Sequence, residues 1–361
     1  MSFFDELNNE VNEGLAGRNA GIPMGFDRLN KYVGIRRRIL THVFGATGSG
    51  KSAFVHSAYI LHPFDYLSAH PDPNIKFKVI LFSMERSKVY ILAKWVSRKI
   101  FLDYAVLIPI PKMLGWWGKK NLMNKDEHDL FLAQKDYLGN LLETVDIIEG
   151  PQNPTGIYKY VKAYAEANGK IEKADEYTRV YIPNHSNEVV EIVEDHLGLT
   201  KGEKGHSSKK EAIDKLTEYN QIFRDLYGYM PISVSQLTRN LNNPMYQKVD
   251  SFEPSIDDAK ESGNPAEAAD IVISLFDPLR YKTNDGSYGD VSKFVDPTSG
   301  ENYFRSVKVL KNSYGADSIR IGMAFHGGIT VLKELPKKDQ MADFDYSELF
   351  SGSYFLNALE H

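Results

Sequence analysis

Two rhythms of apolar and polar residues run along this chain, one repeating every three to four positions and one forming short continuous apolar runs. Phe3, Leu7, Val11 and Leu15 recur every fourth residue, which predicts an amphipathic helix over 2–16. Ser2 suits its N-cap, and Asp5 and Glu6 suit its first turn. Gly14, Gly17, Gly21 and Pro23 break the pattern. This stripe either folds back on its own domain or docks on a neighbouring subunit. From about residue 36 a strand, a glycine loop and a helix follow one another, and strands and helices then alternate. ILTHVFG (39–45), FKVILFSM (77–84), VDIIEG (145–150), VVEIVED (189–195), ISVSQ (232–236) and DIVISLF (270–276) are apolar runs of strand length. Helical spacing fills 87–100, the stretches around 126–143 and 154–168, and 209–228. YFRSVKVLKN (303–312) and SIRIGMAFHGGITVLKEL (318–335) predict an antiparallel hairpin and an edge strand. Apolar strands alternating with helices predict an α/β fold: a mostly parallel, twisted sheet flanked by helices, with the antiparallel hairpin at its C-terminal edge. Residues 336–361 are acidic and aromatic and read as a loosely held tail.

Composition narrows the class. The 361 residues are 42% hydrophobic and 25% charged, which excludes a wholly disordered chain and leaves room for a substantial core. There is no cysteine, so a disulfide framework, thiolate metal sites, iron–sulfur clusters and a cysteine nucleophile are excluded. No apolar run reaches membrane-spanning length. The N-terminus is acidic where a signal peptide is basic. These features lead us to expect a cytoplasmic protein. A net charge of −5 argues against coating nucleic acid by bulk charge, while a local basic channel remains compatible with it.

The chemistry concentrates in four segments. Gly45, Thr47, Gly48, Ser49, Gly50, Lys51 and Ser52 lie in GATGSGKS, which fits the phosphate-binding P-loop pattern between a strand and a helix. Glycines let backbone N–H groups curl around phosphates, and the following helix points its positive end at them. Lys51 then suits the β- and γ-phosphates, and the Ser52 hydroxyl suits Mg²⁺. The second segment ends in Glu85, a carboxylate at a strand end that can polarise water; this strand is expected beside the P-loop. The third ends in Asp195, suited to Mg²⁺ through its water shell, with Glu194 as the rival and His196 as a packing or polar-network residue. The fourth ends in Gln236, an amide able to hydrogen-bond a γ-phosphate.

In order and spacing, GIPMGFDRLN, GATGSGKS, VILFSMERS, NPTGIYKYVKAYAEANG, EIVEDHLGL, PISVSQLTRN, SIDDAKESGNPAEAADIVISLF and VKVLKNSYG resemble the ATPase domain of DnaB-type replicative helicases. The resemblance runs from about residue 21 to 333 and is loose between about 100 and 150. It implies a RecA-like core spanning 21–335, ATP and Mg²⁺ as ligands, and a homo-hexameric ring on single-stranded DNA. It also implies a primase or helicase loader as partner and a bacterial or phage-infected cell. Residues 1–20 match only the family's linker helix, which docks on the adjacent subunit. By the same resemblance Lys51 and Ser52 bind triphosphate and Mg²⁺, Glu85 is the catalytic base, Asp195 the metal-side carboxylate and Gln236 the γ-phosphate sensor. The family's finger pattern is Lys-x-Arg; Lys311 matches, whereas Ser313 stands at the arginine position. Either Lys311 alone, or Arg305 or Arg320, would then supply the cation, or hydrolysis would be slow.

DNA contacts are expected from two loops. One is 200–210, with Lys201, Lys204, Lys209 and Lys210; the other follows Gln236 and carries Arg239, Tyr246 and Lys248. Trp116 and Trp117 suit packing or an interface. Two further classes compete with a ring helicase. One is a RecA-like DNA-binding ATPase that does not unwind, which Ser313 favours. The other is a P-loop kinase, which needs an acceptor pocket and an arginine-rich lid that the sequence does not display.

Overall fold

The computed structural model describes residues 3–15, 17–173, 179–205, 208–237, 253–259 and 265–356. Its strands are β1 (Thr41–Gly45), β2 (Lys76–Ser83), β3 (Val145–Glu149), β4 (Gly169–Lys173), β5 (Arg179–Pro183), β6 (Glu188–Asp195), β7 (Met230–Gln236), β8 (Ile271–Phe276), β9 (Phe304–Asn312), β10 (Ile319–His326) and β11 (Val331–Glu334). Nine of them form one sheet in the order β11-β10-β9-β8-β1-β7-β6-β2-β3. β1 runs parallel to β7 and β8, β6 to β7 and β2, and β2 to β3; β9, β10 and β11 complete the sheet antiparallel. Every residue of β1 is buried, as a strand covered on both faces requires. β2 is not the neighbour of β1 that the sequence suggested, because β7 and β6 insert between them. The remaining pair, β4 with β5, forms a small antiparallel hairpin that was not legible as strand.

The two-residue period sorts the strands between two cores. Val79 and Leu81 of β2 and Val193 of β6 join the cluster under the helices Lys51–His56 and Lys88–Tyr104. Ile80 and Phe82, with Val190 and Ile192, face the helices Pro154–Asn168 and Lys209–Asp225 on the other side. A third cluster joins Phe101, Phe294 and Phe304 to Leu349 and Phe355. The segment read as a loosely held tail is therefore packed as far as the described residues extend. Its aromatic side chains outweigh its acidity, since each buries a large apolar area. The helix Phe3–Leu15 forms as expected, with Leu7, Val11 and Leu15 exposed.

Parity also decides the fate of two acids in β6. Glu194 points into the second core, fully buried, where Asn220 Nδ2 donates to its Oε2 at 2.9 Å. Burial pushes its carboxyl up to about 8. The folded state thus keeps a proton that the unfolded chain releases above about pH 4.3, so this group's contribution to stability falls as pH rises toward 8. Glu194→Gln, which keeps an acceptor for Asn220, should raise the melting temperature relative to wild type by several degrees more at pH 8 than at pH 5. Melting curves at the two pH values test this; an equal offset at both removes the proposed burden.

Candidate nucleotide site

The site lies where β1, β7, β6 and β2 all end. Beyond Gly45 the chain turns through Gly48 and Gly50, with φ of 79° and 93°, and enters the helix Lys51–His56. Those left-handed dihedrals explain glycine at both positions. The result is a strand, a glycine loop and a helix N-terminus in line, the geometry that presents backbone N–H groups to phosphate. Lys51 is 8% exposed and donates to the Gly45 and Ala46 carbonyls, both at 2.9 Å. Burial pulls its ammonium down to about 8, while Asp195 and Glu85 oppose that shift and Arg280 adds to it. Thr47, Gly48, Ser49 and Ser52 occupy the loop and the first turn of the helix as the motif requires.

Asp195 ends β6 on the same face as Val193, toward the P-loop helix. Its Oδ2 lies 3.8 Å from His56 Nε2, and Trp95 Nε1 donates to His56 Nδ1 at 3.3 Å. Burial holds His56 down at about 4, so its ring is neutral, and the Trp95 bond leaves its proton on the Nε2 facing Asp195. Asp195 Oδ1 is buried and without a hydrogen-bond partner. A carboxylate oxygen left open toward the helix face that carries His56 and, one turn earlier, Ser52 fits a hydrated Mg²⁺ held with Ser52. Glu194, the rival, faces away.

Glu85 follows β2 and is 43% exposed at its side chain. Its carboxylate meets Arg86 Nη2 at 3.1 Å through Oε1 and His196 Nε2 at 3.7 Å through Oε2. Gln236 ends β7 and pairs in register with Gly45. Its amide nitrogen lies 3.5 Å from the same His196 Nε2. His196 Nδ1 accepts the Gly198 N–H at 3.1 Å, so the neutral ring carries its proton on Nε2, a donor toward Glu85 that offers no acceptor to the Gln236 amide N–H. Burial lowers this histidine's pKa against the pull of Asp195 and Glu85, which favours that neutral form. His196 is thus a polar-network residue that pairs with Glu85 and lies beside Gln236.

Lys311 sits at the other end of the sheet. It pairs with Val272 on β8, whereas Gly45 pairs with Leu275, and its Nζ donates to the Glu267 carbonyl at 2.9 Å. About 10 Å of strand separates the two levels, so Lys311 does not reach its own chain's glycine loop. Ser313 N–H donates to the Asp270 carbonyl at 2.9 Å. The two other arginines considered are engaged within the chain. Arg305 is buried and pairs with Asp277 at 3.4 Å, and Arg320 pairs with Glu253. An arginine that the sequence did not single out does reach the loop: Arg280 Nη1 donates to the Thr47 carbonyl. Only the pairing of β8 with β1 reveals it, since DPLRYK carries no motif.

Lys201, Lys204, Lys209 and Lys210 are all exposed near the end of β6. Glu203 anchors the same loop by accepting from the Thr155 N–H at 3.2 Å and the Thr155 hydroxyl at 2.9 Å. Arg239, Tyr246 and Lys248 lie outside the described residues. Trp116 stacks on Tyr90 at 6.3 Å, and Trp117 is exposed. Among the described residues no helix is long and apolar enough to cross a membrane.

Strand order and the loop after β1 give a RecA-like fold, with a mostly parallel sheet and an antiparallel C-terminal edge. Two solved structures carry the likeness further. One, described as an ATPase domain, superposes with a TM-score of 0.63 at 18% identity, covering 93% of this chain and 100% of that one. A DnaB-like replicative helicase, described with its interactions with primase, superposes with a TM-score of 0.62 at 16% identity, covering 93% of this chain and 67% of that one. No protein-family model and no curated protein sequence matches the chain.

Proposed function

We propose that this chain is the ATPase motor of a replicative DNA helicase, working as a homo-hexameric ring on single-stranded DNA with ATP hydrolysed between subunits. The observation that carries this reading is the convergence of the glycine loop, Asp195, Glu85 and Gln236 at one end of a RecA-like sheet, with Lys311 at the opposite end. In this reading Lys51 and the loop N–H groups hold the triphosphate, and Ser52 and Asp195 hold Mg²⁺, which supplies charge neutralisation on the phosphates. Glu85 orients the attacking water, Gln236 responds to the γ-phosphate, and Lys311 serves a neighbour's site. The exposed stripe on the helix Phe3–Leu15 supports docking on an adjacent subunit. The neighbour described with primase supports primase as a partner class. A RecA-like ATPase that binds DNA without unwinding is the second reading, favoured by Ser313 at the finger position. The decisive test measures assembly with a non-hydrolysable ATP analogue, then single-strand-stimulated hydrolysis beside fork unwinding. Stimulated hydrolysis without unwinding selects the second reading, and a monomer indifferent to nucleotide and DNA overturns both.

The lysine loop gives a separate expectation. Replacing Lys201, Lys204, Lys209 and Lys210 together with alanine should weaken single-stranded DNA binding. It should also lower the slope of log affinity against log salt by up to about 3, at about 0.7 per phosphate contact. Binding titrations at several salt concentrations check this. An unchanged slope removes the loop from the DNA path.

A further inference from the structure

We infer that Arg280 is a catalytic cation acting within its own subunit, taking the charge-neutralising role that Ser313 cannot take from the neighbour. The inference rests on the ATPase reading above and adds a residue to it.

Arg280 is placed by the sheet. β8 runs parallel to β1 with Leu275 opposite Gly45, so the chain leaving β8 emerges beside the glycine loop. The short 3-10 turn Leu279–Tyr281 follows at once. Asp277 fixes this turn: it accepts the Arg280 N–H at 3.2 Å, accepts from Asn302 Nδ2 at 2.8 Å, and pairs with Arg305 at 3.4 Å. Tyr281 stacks on Phe276 at 5.7 Å, which pins the other side. The Arg280 guanidinium then reaches the Thr47 carbonyl and lies against Gly48, where a β-carbon would sit 2.6 Å from Nη1. Among the described residues, Lys51 and Arg280 are the two cationic side chains that donate to the glycine-loop backbone. Lys51 is buried under the loop, whereas Arg280 is exposed at its mouth.

That position suits charge that develops during hydrolysis. Water oxygen bonds to the γ-phosphorus, its proton passes to the Glu85 carboxylate, and the β–γ bridging P–O bond breaks with its electron pair left on ADP. The transferring group carries its charge on three equatorial oxygens, and a planar fork of N–H donors neutralises it better than an ammonium does. Arg305 supports this arm from beneath, through Asp277, rather than acting on substrate.

The test uses the full chain with Arg280→Ala and Arg280→Lys. Arg280 is exposed, so both variants should fold, and melting curves confirm it. We expect kcat for ATP to fall about 100-fold or more in Arg280→Ala, with KM changed less than about threefold, and only slight recovery in Arg280→Lys. Affinity for ADP alone should hold, while the tighter binding of ADP with aluminium fluoride, a mimic of the transferring phosphoryl group, should be lost. Subunit mixing assigns the direction. A residue acting within its own subunit gives no recovery when Arg280→Ala is mixed with Lys51→Ala. A residue acting across the interface restores about one quarter of sites on random equal mixing. Recovery on mixing overturns the inference, as does wild-type kcat in Arg280→Ala, or equal loss of affinity for ADP and the mimic. A wild-type chain without hydrolysis overturns the ATPase reading itself and this inference with it.

Discussion

Lys51→Ala should lose nucleotide binding by about 100-fold or more and reduce ATP turnover below detection. Lys51 is the deepest cation of the loop, 8% exposed, and its ammonium donates to two loop carbonyls. If in the bound state this ammonium turns to the β- and γ-phosphate oxygens, charge-assisted hydrogen bonds to them are worth about 1.5–3 kcal/mol each, so losing two removes two or more decades of affinity. The same change should leave the fold intact. A buried ammonium already costs solvation, as its lowered pKa records. Its removal exchanges that cost for two carbonyls that solvent at the loop can satisfy. Equilibrium binding of a fluorescent ATP analogue, read beside a melting curve, checks both halves. Wild-type affinity in a folded Lys51→Ala protein would show that the glycine loop does not hold the triphosphate.

Much of the frame was legible because its central strands are covered on both faces. Such strands appear as β-rich runs free of charge, and β1, β7 and β8 were readable for that reason. The β4–β5 hairpin was not, because Gly169–Lys173 is largely charged and the apolar stretch of Val180, Tyr181 and Ile182 is short, with Val180 and Ile182 exposed. Strand order is a property of long-range pairing that no local pattern encodes. The sequence therefore located the loop residues but not Arg280, whose role depends on β8 lying beside β1. It also left Asp195 and Glu194 in competition. A fully buried strand gives no outward alternation from which to fix parity, and only the packing of Glu194 on Asn220 separates them.

The link through His196 extends the reading from binding to turnover. Glu85 and Gln236 stand on strands separated by β6, and the imidazole after β6 lies within 3.7 Å and 3.5 Å of them. The segment after Gln236 leads into one of the proposed DNA loops. In the proposed reading, a change at the γ-phosphate felt by Gln236 would pass to Glu85 through the adjacent imidazole.

Glu85→Gln isolates the chemical step within this network. The amide keeps the size of the carboxylate and can still meet Arg86 and His196, so nucleotide and DNA affinity should stay within about threefold of wild type. It cannot take a proton from water, and turnover should fall by about 10²–10⁴. The variant should then accumulate in its triphosphate state. If the loops after β6 and β7 hold DNA in that state, single-stranded DNA should dissociate from it more slowly in ATP than from wild type, and at the same rate in ADP. Single-turnover hydrolysis and DNA off-rates in the two nucleotides measure both effects. Wild-type turnover in Glu85→Gln removes Glu85 from the base role. Slow turnover with an unchanged off-rate in ATP would keep the base and break its connection to DNA.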